Sequence, residues 1–100
     1  MKFVTILACC LVSLTLSSQT TIGLELYSFR NQIPKDVPGM LSTINKMGIK
    51  ELEGGGTYGL PITEYKQLLD KNNLQMVSIG ADFEKLQKDL PGIIAEAKAL

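Results

Sequence analysis

Two seven-residue stretches about 25 residues apart line up along this chain: Lys46-Met47-Gly48-Ile49-Lys50-Glu51-Leu52 and Lys71-Asn72-Asn73-Leu74-Gln75-Met76-Val77. Each closes an apolar segment of helical period, passes through a residue type that tolerates left-handed backbone, and opens a short strand-like segment. A chain that repeats helix, stop and strand at this interval has few options. Strands separated by helices of roughly 10–15 residues run in the same direction, which means parallel βαβ units with the helices crossing over the sheet.

The segments follow in order. Thr21 to Arg30 alternates Ile22, Leu24 and Leu26 with Gly23, Glu25 and Tyr27, a period of two that predicts a strand with its aliphatic face on helices. Asn31 to Lys35 reads as loop. Asp36 is a good N-cap, with Pro38 acceptable in the first turn. Val37, Met40, Leu41, Ile44 and Met47 recur at spacings of three and four, predicting a helix of about three turns with both methionines in the core. Gly48 is its left-handed stop. From Gly48 to Gly59 the chain reads as a strand feeding a glycine-rich loop, with Ile49, Glu51 and Glu53 on one face and Lys50 and Leu52 on the other. A second helix starts at Leu60-Pro61 and buries Ile62, Tyr65, Leu68 and Leu69; Lys66, Asp70 and Lys71 face water. Leu74 to Ile79 is a third strand, ending at Gly80-Ala81-Asp82-Phe83. After a polar stretch, Asp89 caps a third helix from about Pro91, carrying Ile93, Ile94, Ala97 and Leu100. A parallel sheet is ordinarily covered on both faces and belongs to a larger array, and a complete (β/α)8 barrel takes about 250 residues. The expectation is therefore the N-terminal part of a longer protein, or a truncated product.

The first twenty residues read differently. Met1-Lys2 precedes an apolar run from Phe3 to Leu16, then Ser17-Ser18-Gln19-Thr20. That order matches a secretory signal peptide over 1–20, which leaves 21–100 as the folded part and implies export to the periplasm or exterior. The run is shorter than the ~20 residues of a membrane span, so no stable span is expected after cleavage. Ala8-Cys9 leaves lipid anchoring as an alternative. Both cysteines lie in this leader, so the mature chain has no disulfide and no thiolate metal site. There is no histidine, which removes the commonest general base and metal ligand. Without Lys2, nine cationic side chains face ten acidic ones. No basic run exists, so nucleic acid is not an expected partner.

Three runs carry a family resemblance: Gly23-Leu-Glu-Leu-Tyr-Ser-Phe-Arg30, Gly48-Ile-Lys-Glu-Leu-Glu-Gly54 and Gln75-Met-Val-Ser-Ile-Gly80. Together they resemble the start of secreted bacterial sugar phosphate isomerase/epimerase proteins of the xylose isomerase-like TIM-barrel superfamily, across essentially all of 21–100. The resemblance implies an α/β fold comprising the first three βα units of such a barrel. It implies a metal-dependent isomerase or epimerase acting on a small-molecule sugar, with Mn²⁺ or Mg²⁺ stabilising an enediolate while carboxylates move a proton beside the carbonyl. It also implies that the metal ligands lie on later strands, outside this chain. The alternatives are a truncated, inactive barrel fragment, a sugar-binding protein without turnover, or a fragment that pairs with its own copy.

Barrel enzymes of this kind place their sites at the C-terminal ends of the strands. The candidate substrate-binding residues are therefore Tyr27 and Arg30 after strand one, and Glu53 and Tyr58 at and after strand two, with Ser78 to Asp82 following strand three. Glu53 matches the glutamate of the family pattern; it either faces a pocket or pairs with Lys50 or a loop amide. Glu51, deeper on the same face, reads as structural. Tyr27 either stacks on a sugar or fills the interior, and Arg30 binds an anionic group or makes a loop salt bridge. Gly54-Gly55-Gly56 is an anion nest or a tight turn. Gly80-Ala81 stands where many relatives carry a polar or imidazole residue.

Overall fold

Parallel pairing accounts for the whole architecture. The computed structural model describes residues 20–100; the leader reading lies outside the described residues, Thr20 excepted. Three strands, β1 (Gly23–Glu25), β2 (Glu51–Gly54) and β3 (Gln75–Ile79), form one parallel sheet in the order β1-β2-β3. Among the described residues four helices accompany them: α1 (Val37–Lys46), α2 (Ile62–Lys71), α3 (Phe83–Lys88) and α4 (Leu90–Ala99). The protein is thus a mixed α/β chain built of successive βα units. Among the described residues no helix is long and apolar enough to cross a membrane.

Register explains the core. Leu24 pairs with Leu52, and Leu52 with Met76. That row faces α1 and α2, where Leu41, Ile44, Tyr65 and Leu69 are buried with it. Because side chains alternate across a strand, the next residues point the other way. Glu25 pairs with Glu53, and a bulge in β3 then sets Ser78, rather than Val77, beside Glu53. This second face of the sheet is exposed: Val77 keeps 53% of its surface.

The helix ends form where local chemistry dictates. Gly48 (φ 83°) and Asn73 (φ 51°) both take left-handed backbone directly after α1 and α2, which lets the chain reverse into the next strand. Helices α1 and α4 open with the same device, Asp36-Val37-Pro38-Gly39 and Asp89-Leu90-Pro91-Gly92. The Gly39 N–H donates to Asp36 Oδ1 at 2.9 Å, and the Gly92 N–H to Asp89 Oδ1 at 3.0 Å. Proline has no N–H to satisfy in the first turn, and a Cβ on either glycine would collide with the capping carboxylate. Asp36→Ala is therefore expected to cost about 1 kcal/mol of stability, measured by urea unfolding of the full chain, with Asp36→Asn retaining most of it.

Several expectations need correction. The strand anticipated over Thr21 to Arg30 is only three residues long. Leu26–Phe29 instead winds into a 3₁₀ turn, followed by a second at Ile33–Lys35 in what read as loop. Leu26 is buried in either geometry, so apolar alternation could not tell them apart; Ile22, expected on the buried face, is 69% exposed. The polar stretch before Asp89 is helix α3, started by Asp82, whose Oδ1 accepts from the Glu84 and Lys85 N–H groups at 2.9 and 3.2 Å. Ile94 and Ala97 of α4 are exposed, with Ile93 alone buried there. Met47 caps α1 from the solvent side rather than lying in the core, while Met40 packs against it half-buried.

Candidate functional site

The three strands all point their C-terminal ends to one side, and the chain leaving them encloses a cleft of about 760 Å³. Its lining brings together all four residues singled out in the sequence: Tyr27, Arg30, Glu53 and Tyr58. They come together for a simple reason. Each falls at or just past the end of a strand, and parallel pairing stacks those ends side by side.

Tyr27 lies within the 3₁₀ turn that follows β1, and Arg30 comes directly after it. The Arg30 guanidinium carbon lies 4.6 Å from the Tyr27 ring centroid, and one of its Nη groups donates to the Tyr27 carbonyl at 3.2 Å. Tyr27 is 65% exposed, so it does not fill an interior in this chain. Arg30 makes no ion pair among the described residues, where the pairs are Lys66–Asp70, Lys85–Glu96 and Lys88–Glu84. The loop salt bridge considered for it is absent from that set.

Glu53 stands on the exposed sheet face at the end of β2. Lys50, its candidate structural partner, donates instead to Asn45 Oδ1 at 2.7 Å. The carboxylate beside Glu53 is Glu25, its register partner on β1, which also lines the cleft. Glu25 was not among the sequence candidates. Its only signal would have been the register itself, which no local pattern announces. Glu51 lies one step deeper, half-buried, opposite Gly23 and outside the cleft lining.

Tyr58 enters the cleft from the β2–α2 loop with φ at 55°. Left-handed backbone costs a bulky residue roughly 1–2 kcal/mol. Its ring meets Tyr65 of α2 edge-on, centroids 6.1 Å apart at 62°, an arrangement that offsets about 0.5–1.5 kcal/mol of that strain. Burial pushes the Tyr58 phenol above its ordinary pKa. Close approach accounts for the first two glycines of the run before it. A Cβ on Gly54 would fall 2.9 Å from Leu26 Cδ1, and one on Gly55 would fall 3.2 Å from the Gly80 carbonyl oxygen. That carbonyl belongs to the β3 exit, whose Gly80, Ala81 and Asp82 complete the lining. Ser78 lies along the exposed sheet face, not in this cleft.

Searched against protein families, curated proteins and solved structures, the chain returns no match.

The chemistry of the cleft accordingly rests on its own side chains. Its lining offers two adjacent carboxylates as hydrogen-bond acceptors, one guanidinium as donor and two tyrosines as apolar faces with polar tips. Such a mixture suits a small ligand carrying several hydroxyls. Among the described residues no three His, Cys, Asp or Glu side chains converge on one point.

Proposed function

We propose that this chain supplies the first three βα units of a xylose isomerase-like (β/α)8 barrel, and that its cleft forms part of the sugar-binding site of an exported isomerase or epimerase. The observation that carries the reading is the convergence of Tyr27, Arg30, Glu53 and Tyr58 at the C-terminal ends of parallel strands, where barrel enzymes hold their substrates. In this reading Glu25 and Glu53 accept hydrogen bonds from sugar hydroxyls, and Tyr27 and Tyr58 cover the ring's apolar faces. In the same reading an Mn²⁺ or Mg²⁺ held by residues of other βα units of the barrel would polarise the carbonyl.

The test is proton exchange in D₂O. The product of the complete reading frame, incubated with a panel of aldoses and ketoses and with Mn²⁺ or Mg²⁺, is expected to replace the hydrogen beside the carbonyl with deuterium. Binding of the same sugars without exchange would overturn the isomerase reading in favour of sugar binding alone. A reading frame without further βα units would overturn the barrel.

A further inference from the structure

The cleft has one cation and three carboxylates in its lining: Arg30 against Glu25, Glu53 and Asp82. Asp82 is occupied as the cap of α3, its Oδ1 taken by two backbone N–H groups. Arg30 is not occupied in that way. Its guanidinium is stacked over Tyr27 and tied to a backbone carbonyl by one hydrogen bond, and the rest of its fork meets no acceptor among the described residues. Stacking fixes the plane of a guanidinium without neutralising it, so the fork stands ready for a planar anion.

The rest of the lining limits which anion. A phosphate monoester brings close to two negative charges into a cleft where carboxylates already outnumber the cation. A carboxylate brings one, and its two oxygens match the guanidinium fork. Resting on the reading of this cleft as a site for polyhydroxylated ligands, we infer that Arg30 makes it selective for a sugar acid, a polyhydroxylated monocarboxylate, over a neutral sugar or a sugar phosphate. The ligand's carboxylate meets Arg30 above Tyr27, and its hydroxyls reach Glu25 and Glu53. Arg30 is a specificity-determining residue in this account.

The experiment is calorimetric titration of the full chain at low salt with D-glucuronate, D-galacturonate and D-gluconate, set against D-glucose, D-galactose and glucose 6-phosphate. At least one acid is expected to bind about tenfold or more tighter than its neutral counterpart, a preference that shrinks with added salt. Arg30→Gln should abolish the preference, weakening the acids far more than the neutral sugars, and Arg30→Lys should keep part of it. Arg30 is exposed, so neither substitution removes core packing; matching circular dichroism spectra verify this. Equal affinity for acids and neutral sugars, tighter binding of the phosphate, or a preference surviving in Arg30→Gln would each overturn the inference and leave the polyhydroxyl site standing. Failure of every sugar to bind would overturn both.

Discussion

Leu52→Ala is expected to lower the stability of the full chain by about 2–5 kcal/mol, the range for deleting a fully buried leucine. Leu52 sits at the centre of the middle strand, between Leu24 on β1 and Met76 on β3, and is 0% exposed. Helices α1 and α2 close over it through Leu41, Ile44, Tyr65 and Leu69. Main-chain pairing on both sides holds the strand in place, so neighbours have little freedom to collapse into the space the substitution leaves. Val77→Ala on the opposite face removes a side chain 53% exposed, and is expected to change stability by about 0.5 kcal/mol or less. Urea unfolding checks the contrast: the midpoint should fall far more for Leu52→Ala, with the slope unchanged. Equal effects at the two positions would mean that the sheet does not bury the face assigned here.

Tyr65 should respond in opposite directions to two substitutions. It is fully buried at the contact of α2 with the β2–α2 loop, and its hydroxyl has no hydrogen-bond partner among the described residues. Tyr65→Ala empties an aromatic-sized space and is expected to cost about 3–5 kcal/mol. Tyr65→Phe keeps the ring against Tyr58 and removes the unpartnered hydroxyl, so a gain of about 1 kcal/mol is expected. The pH dependence supplies an independent readout. Burial, reinforced by the neighbouring Tyr58, pushes the Tyr65 phenol well above its ordinary value of 10.0. A phenol raised by folding binds its proton more tightly in the native than in the unfolded chain. Its contribution is therefore complete below pH 10, and is lost as pH rises past 10 through the folded value. Thermal unfolding between pH 8 and 11 should show the wild-type midpoint falling above pH 10, and Tyr65→Phe should flatten that fall.

The features legible in the sequence were those that local chemistry decides. The stops at Gly48 and Asn73 and the caps at Asp36 and Asp89 each depend on a few consecutive residues, and they delimit α1, α2, the start of α4 and the strands that follow the first two. Tyr27, Arg30, Glu53 and Tyr58 meet in one cleft because strand ends are local features and parallel order stacks them. Non-local features stayed hidden. Glu25 joins Glu53 only through the β1–β2 register, and Ser78 replaces Val77 beside Glu53 only because β3 bulges. The short α3 buries none of its residues, so no apolar period marked it; its one signal was Asp82, which reads equally well as a turn residue. Leu26 carried the alternation of β1 onward, although the chain had already turned away from the sheet.

The central claim is that a hydroxyl-bearing ligand is held where the three strands end. Backbone amide shifts of the ¹⁵N-labelled full chain, followed while a sugar or sugar acid is titrated in, test it most directly. Saturable shifts confined to the cleft lining, with Glu25, Tyr27, Arg30, Glu53 and Tyr58 among them, are the predicted result. Shifts scattered over α1 and α2, or none at millimolar ligand from any of the sugars and sugar acids, would contradict it.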